Sequence, residues 1–173
     1  MLAKMDGVSE LRYGDCPTVE TEVIVAAAPE VLWLLVSDIQ LPARFSTEFA
    51  GAEWLEGATG PSLGARFVGH NAHPAAGQWD TVSTITACEP GRVFEWSVGD
   101  PEEPSSTWRF TLLPEGAATR VIQWMRMGPA RSGINAAIDA MPDKEDRILR
   151  RRLDEHKANM EATLQGIKQL AES

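Results

Sequence analysis

The C-terminal part of the chain has a long helical periodicity, and this limits the folds available to the rest. From about Ile134 to Leu170 the sequence predicts one amphipathic helix whose apolar stripe is Ile134, Ile138, Met141, Leu149, Leu153, Met160, Leu164 and Ile167. A helix with so wide an apolar stripe has to lie across another element. The preceding residues 51–127 contain five of the six tryptophans and alternate between strand-like runs and turns. We therefore expect the helix to cover a twisted antiparallel sheet and to leave a gap between the two.

Seven stretches have the composition and alternation of strands. They are Thr18–Ala26, Gly51–Glu56, Ala65–His73, Trp79–Cys88, Arg92–Val98, Ser106–Leu113 and Thr119–Met127. Segments such as EPGR and PEGA mark the turns between them.

Two short helices are predicted after the first strand. The first helix begins at Ala28-Pro29-Glu30, and its apolar run Val31–Val36 predicts that it is largely buried. The second short helix is predicted at Leu41–Phe49. The fold class is therefore α+β, with residues 1–16 as a flexible lead-in and 17–171 as one domain.

Charge and length exclude several classes of protein. The 173 residues carry a formal net charge of −9, which argues against nucleic-acid binding. The arginines at 147 and 150–152 alternate with acids at helical spacing, so we expect pairs such as Asp146–Arg150 and Arg151–Glu155. No stretch approaches the roughly 18 apolar residues of a membrane span, so no membrane insertion is expected. No signal peptide is evident, and Cys16 and Cys88 fit no disulfide framework, which together favour a cytoplasmic setting.

Several segments resemble one known superfamily. They are VETEVIVAAAPEVLWLLVSD at 19–38, EWLEG at 53–57, LGARFVGHN at 63–71, TITACEPGRVFEWSVG at 84–99, STWRFTLLPEGAATRV at 106–121 and HKANMEATLQGIKQLAES at 156–173. With the order of elements, they make the chain similar to the START-like (SRPBCC) superfamily of polyketide cyclase/dehydrase-like and lipid-transport proteins, and most of all to its actinobacterial-type members. The resemblance implies a helix-grip fold, in which a curved seven-stranded antiparallel sheet surrounds the long C-terminal helix. Family members bind lipids or hormones, cyclise polyketides or act as co-chaperones, so the fold alone does not select a function.

His156 is the sharpest single candidate for chemistry. It lies on the apolar stripe between Leu153 and Met160, so its imidazole is expected to face the sheet. There it could act as a general base or orient a polar ligand group. The alternative is a hydrogen-bonded core histidine, or one at the edge of the stripe.

A second group of candidates lies on the segment GARFVGHNAH. By alternation Phe67, Gly69, Asn71 and His73 share one face of a strand, and the missing side chain at Gly69 suggests room for a ligand. Asn71 and His73 would then be polar groups at the rim, although exposed polar residues are also expected beside the turn at Pro74. With His156 as the only other histidine beyond His70 and His73, a metal site is not expected, and neither is a cofactor.

Aromatic residues supply the predicted ligand-binding wall. An apolar pocket would be lined by Phe67, Trp79, Phe94, Trp96, Trp108 and Trp124 from the strands, with Asn71, His156 and Met160 beside them. Any one of these tryptophans could equally belong to an ordinary sheet core. Arg44, from the short helices, could pair with a ligand carboxylate or with a neighbouring acid such as Glu48 or Asp38.

Two functions from different classes remain open. The first is the binding or transport of a hydrophobic small molecule, such as a lipid or a polyketide, between sheet and helix. The second is a cyclase or dehydratase that works by general acid–base chemistry, with His156, Asn71, His73 and Arg44 as its polar participants. A protein-interaction module is a third. Exposed strand edges would allow a homodimer.

Overall fold

The computed structural model describes residues 9–173. They form a seven-stranded antiparallel sheet in the order β1-β7-β6-β5-β4-β3-β2. The strands are β1 (Thr18–Val25), β2 (Phe49–Trp54), β3 (Arg66–His73), β4 (Gly77–Glu89), β5 (Val93–Gly99), β6 (Pro104–Glu115) and β7 (Ala118–Met127). Helix α1 (Pro29–Val36) follows β1, and α2 (Ile134–Ala140) and α3 (Glu145–Ala171) follow β7. The predicted α+β helix-grip fold is confirmed.

The C-terminal helix was predicted to be continuous, but the structure divides it in two. It is interrupted at Met141, whose φ and ψ of −142° and 65° are not helical, and a short 3-10 turn, Pro142–Lys144, separates α2 from α3. Pro142 disfavours a helical conformation in the residue before it and has no amide proton to donate. The apolar periodicity continues through this break, because both helices bury their stripes against the same sheet.

The two predicted short helices also need correction. Helix α1 begins at Pro29 as expected, but only Leu32 and Val36 are buried, while Val31 and Leu34 are exposed. The second is a single 3-10 turn, Leu41–Arg44, and Phe49 already belongs to β2. Pro42 suits such a turn, but Ser46 then accepts hydrogen bonds from the amides of Glu48 and Phe49 and so leads the chain into the strand.

Part of the predicted flexible lead-in is tied to the rest of the protein. Residues 1–8 lie outside the described residues. The amide of Leu11 donates to Asp146 over 2.7 Å, and the amide of Tyr13 donates to Glu145 over the same distance. The buried Tyr13 hydroxyl also donates to the carbonyl of Ala130. These contacts hold residues 11–13 against the start of α3, where carboxylates also stabilise the helix dipole.

The core consists of two clusters on the face of the sheet that α3 covers, which we call the inner face. The first lies under the C-terminal half of α3 and α1 and includes Leu32, Phe94, Phe110, Leu164 and Ile167. The second lies under the start of α3 and α2 and includes Tyr13, Met125, Ile138, Leu149 and Met160. No helix among residues 9–173 is both long and apolar enough to cross a membrane.

Candidate functional site

The strand register decides which side chains face α3. Trp108 lies opposite Trp96 and Met125, and Phe110 lies opposite Phe94, so all five share the inner face. On β3 the inner positions are Phe67, Gly69, Asn71 and His73, in agreement with the predicted alternation. We call the space between this face and α3 the grip.

An aromatic wall crosses the inner face from β2 to β6. It consists of Trp54, Phe67, Trp96 and Trp108, with neighbouring ring centroids 5.9 to 6.3 Å apart. The indoles of Trp96 and Trp108 are nearly parallel, and both residues remain partly accessible although they face inward. Such a wall offers flat apolar surface to a ring-bearing or acyl ligand.

His156 projects from α3 onto this wall. Its ring meets the Trp108 indole edge-on, with centroids 5.2 Å apart and planes at 85°. Burial, and then the positive charge of Arg152, lower the pKa of His156 to about 3, so the imidazole is neutral at neutral pH. The residue is nevertheless partly accessible, and among residues 9–173 neither ring nitrogen has a hydrogen-bond partner or is sealed from solvent. His156 is thus largely enclosed by protein, and its two ring nitrogens leave one donor and one acceptor unused beside the wall.

Charged side chains close the grip at the level of His156. We call Glu48, His73, Arg152 and Glu155 the polar collar. Arg152 donates to both carboxylate oxygens of Glu48, over 2.5 and 2.6 Å, and to Glu155 over 3.2 Å. The Nε2 atom of His73 lies 3.4 Å from Glu155.

Within the polar collar, the electrostatics favour the charged forms of Arg152 and Glu155. Burial is the largest single influence on Arg152 and would lower its pKa, but the hydrogen bonds and negative charges of Glu48 and Glu155 together outweigh it, so the pKa is raised. Burial alone would raise the pKa of Glu155, but hydrogen bonds from Arg152 and Arg151 lower it. The Arg152–Glu48 ion pair, which partly buried surroundings strengthen, therefore links α3 to the segment before β2, and the contact between Glu155 and His73 links α3 to β3.

Two further contacts hold the segment before β2 on α3. Both the amide and the hydroxyl of Thr47 donate to the side-chain carbonyl of Asn159. Two turns after Asn159 on α3, Gly166 faces the ring of Phe45. A Cβ atom at Gly166 would lie 2.4 Å from that ring. The absence of a side chain at Gly166 therefore lets the Phe45 ring lie against the helix backbone.

Some predicted ligand-binding residues are almost fully buried in the core. Phe67, Phe94 and Met160 are 4%, 2% and 1% exposed, so protein atoms cover nearly all of their surface. The room expected at Gly69 is filled by the ring of Phe49, whose Cε2 would lie 3.0 Å from an added Cβ. The buried residues of the first core cluster are thus closely packed, whereas Trp96 and Trp108 on the inner face, and His156 on α3, remain partly accessible.

The remaining predicted site residues are divided between the two faces. Trp79 and Asn71 lie opposite each other on the inner face, both partly accessible, and the Asn71 amide donates to the carbonyl of Gly69. Trp124 is a correction, because its register position puts it on the outer face, where the guanidinium of Arg109 lies 4.7 Å from its ring centroid.

Neither of the neighbouring acids predicted for Arg44, Glu48 and Asp38, pairs with it, and the alternative of a ligand carboxylate stays a prediction. The side chain of Arg44 is exposed and contacts the ring of Phe45, and Glu48 pairs with Arg152 instead. The predicted helix pairs Asp146–Arg150 and Arg151–Glu155 are confirmed. Within the part of the chain that the structure describes, no three His, Cys, Asp or Glu side chains are grouped as metal ligands.

Sequence reasoning missed the polar collar and the contact at Gly166. Arg152 was expected to pair with acids of its own helix, because nothing in its spacing shows that Glu48, 104 residues away, reaches it. Gly166 did carry a signal, since a glycine inside a helical pattern costs about 1 kcal/mol and so points to a packing reason.

Comparison with known proteins agrees with this architecture. Residues 17–171 match the family described as polyketide cyclase / dehydrase and lipid transport, and the chain belongs to this family. No curated protein sequence matches it.

Solved structures with similar folds include proteins of that type. A polyketide-cyclase-like protein from Corynebacterium glutamicum is 28% identical with a TM-score of 0.63, over 90% of this chain and 91% of that one. The Zhui aromatase/cyclase of a Streptomyces species is 18% identical with a TM-score of 0.63, over 90% and 93%. The di-domain ARO/CYC protein StfQ of the steffimycin biosynthetic pathway is 16% identical with a TM-score of 0.69, over 90% of this chain and 50% of that one. At these last two identities the similarity establishes the fold alone.

Proposed function

We propose that the protein binds a hydrophobic small molecule, such as a lipid or a polyketide, in the accessible part of the grip. The observation that carries this proposal is the inward-facing group of Trp96, Trp108 and His156, which protein surrounds but does not seal. Indole faces provide apolar area for the ligand. The unpartnered imidazole, and Asn71 beside Trp79, supply the few polar contacts that orient it.

The state of His156 supports binding over acid–base catalysis. A general base works best when its pKa lies near the working pH, whereas burial and Arg152 lower the pKa of His156 to about 3. A neutral imidazole is well suited to donate a hydrogen bond to a ligand carbonyl or hydroxyl group. The expected cytoplasmic setting remains a prediction.

The experiment tests the grip with a neutral polycyclic fluorophore, Nile red, and with native mass spectrometry of the purified protein. We expect Nile red to bind saturably and His156→Phe, which fills the accessible space, to weaken binding about tenfold or more. Trp124→Phe is the matched control, because Trp124 lies on the outer face, and its binding should equal that of the wild type. Equal binding by the wild type and His156→Phe would contradict the proposal.

A cyclase or dehydratase is the second candidate, and the family description and the polyketide-cyclase-like protein from Corynebacterium glutamicum favour it. Mass spectrometry separates the two functions. A bound poly-β-carbonyl compound recovered with unchanged mass supports a carrier, whereas loss of 18 Da on incubation supports a dehydrating cyclase. Turnover should then fall in His156→Gln while Nile red still binds.

A further inference from the structure

A concavity lies on the outer face of the sheet, away from α3. It has a volume of about 350 Å³, and its floor is built from β4 to β7. Its rim is formed by Cys16, Pro129 and the loop from Pro101 to Pro104. This cover explains why Ser97 and Thr107 are only 4% and 6% exposed although they point away from the core helix.

Arg126 differs from the other arginines of this face in having no acidic partner. Arg109 pairs with Glu95, and Arg120 pairs with Glu22 and Glu115. Within residues 9–173 no carboxylate pairs with Arg126 and none of its guanidinium nitrogens makes a hydrogen bond; Nε is fully buried, whereas the two terminal nitrogens are not sealed from solvent. The N–H groups of such a partly buried guanidinium remain free to donate, and the two oxygens of a planar carboxylate can accept from two of them at once.

A second polar atom without a partner lies beside Arg126. Thr107 is directly opposite Arg126 in the register, and its hydroxyl oxygen is buried and makes no hydrogen bond. Buried polar atoms usually have a partner, and each one that lacks it is costly. Thr107 and Arg126, neighbours on adjacent strands, therefore both leave hydrogen-bonding capacity unused on the floor of this concavity.

The charges and the walls of the concavity limit what it can accept. Glu95 is already engaged by Arg109, and the exposed Glu102 lies on the rim. A dianion would place a further negative charge beside these carboxylates, whereas one negative charge matches one free guanidinium. Apolar surface is provided by Trp124 and the rim prolines.

We propose that this concavity binds an organic monocarboxylate, whose carboxylate pairs with Arg126 and whose apolar body lies against Trp124 and the rim prolines. This site is separate from the grip, because it lies on the opposite face of the sheet, and it does not depend on the function proposed there.

The experiment titrates the full-length ¹⁵N-labelled protein with benzoate and follows the tryptophan indole N–H resonances. We expect the Trp124 resonance to shift saturably, while those of Trp96 and Trp108, on the inner face, do not follow the same curve. Benzamide, which has the same ring but no charge, should not shift Trp124. A Trp124 shift that is equal with benzamide would overturn the role of the carboxylate.

Two variants test the assigned residue. Arg126→Gln should weaken benzoate binding about tenfold or more, because it removes the charged bidentate contact. Arg120→Gln removes the same charge from the same strand and face and should bind as the wild type does. Equal affinity in all three proteins would overturn the proposal.

Two further measurements keep the test decisive if Arg126→Gln folds poorly. Glu102→Gln should tighten benzoate binding about twofold at low ionic strength, because it removes a rim charge, and unchanged or weaker binding would contradict the charge argument. Inorganic phosphate should compete weakly, and binding tighter than that of benzoate would overturn the assignment to monocarboxylates.

Discussion

At the scale of single residues, His156 links the stability of the protein to pH. Its pKa is lowered from 6.5 to about 3, first by burial and then by Arg152. Between about pH 3 and 6.5 the unfolded chain therefore binds more protons at His156 than the folded protein does. The unfolding free energy rises with pH until about 6.5. When the pH is lowered from 6.5 to 4.5, the unfolding free energy of the wild type should fall by on the order of 2 kcal/mol more than that of His156→Gln, as measured by urea unfolding.

His70→Gln is the control for this prediction. The hydrogen bond to Asp80 raises the pKa of His70, so its small contribution has the opposite sign and is lost as pH rises through that pKa. Parallel pH profiles for the wild type and His156→Gln would show that the imidazole is not buried as described.

Gly166 allows a second prediction at this scale. Replacing a helical glycine by alanine normally stabilises a protein by about 1 kcal/mol. Here the new Cβ would lie 2.4 Å from the Phe45 ring, so Gly166→Ala should instead destabilise the protein by about 1 to 3 kcal/mol. In a Phe45→Ala background the same change should become stabilising. Chemical denaturation of the four proteins of this double-mutant cycle measures the coupling, and additive effects would argue against the contact.

At the scale of elements, the Glu48–Arg152 pair joins α3 to the segment before β2. The two side chains are only 12% and 20% exposed, so removing one partner leaves a poorly solvated charge. Glu48→Gln should cost about 1 to 3 kcal/mol in unfolding free energy. Replacing both residues, as Glu48→Gln with Arg152→Met, should recover part of this loss. The exposed pair of Lys157 and Glu161 is the control, and Glu161→Gln should change stability by less than about 0.5 kcal/mol.

Patterns within one element were predictable, whereas contacts between elements were not. Alternation placed Phe67 and Asn71 on the inner face, because side-chain direction in a strand depends only on parity. The same reasoning did not relate Trp124 to Trp108, since parity says nothing about the register between two strands, and the register puts Trp124 outside. The break at Met141 was overlooked because the apolar stripe continues beyond Pro142, although the proline itself favoured a break.

In the candidate site, too, features set by one element were predictable and features set by contacts between elements were not. The position of His156 on the apolar stripe was enough to place it against the sheet, where it meets Trp108. Its lack of a hydrogen-bond partner depends on the surrounding elements and could not be deduced from spacing. The unpaired Arg126 was likewise hidden, because its surroundings come from four strands and three connecting segments.

At the scale of the whole molecule, the open sheet has two edges, β1 and β2. The end of α3 covers part of the β1 edge. Lys168 Nζ donates to the carbonyl of Ile24 over 2.6 Å, and Glu172 accepts from the amide of Ala26 over 2.8 Å. Unpaired strand edges promote association between chains, and charged side chains are one means of blocking them. The C-terminal residues therefore both close the fold and limit pairing through β1.

Removing these two contacts should increase self-association. In the variant Lys168→Met with Glu172→Gln, the carbonyl of Ile24 and the amide of Ala26 lose their charged partners and become available to another strand. We expect sedimentation velocity to show a larger fraction of dimer or higher species than in the wild type at equal concentration.

Lys157→Met with Glu161→Gln removes the same charges from an exposed part of α3 and serves as the control. If both variants associate equally, the cause is the altered surface charge and not the β1 edge. A wild-type dimer that the Lys168 variant leaves unchanged would assign dimerisation to a different surface.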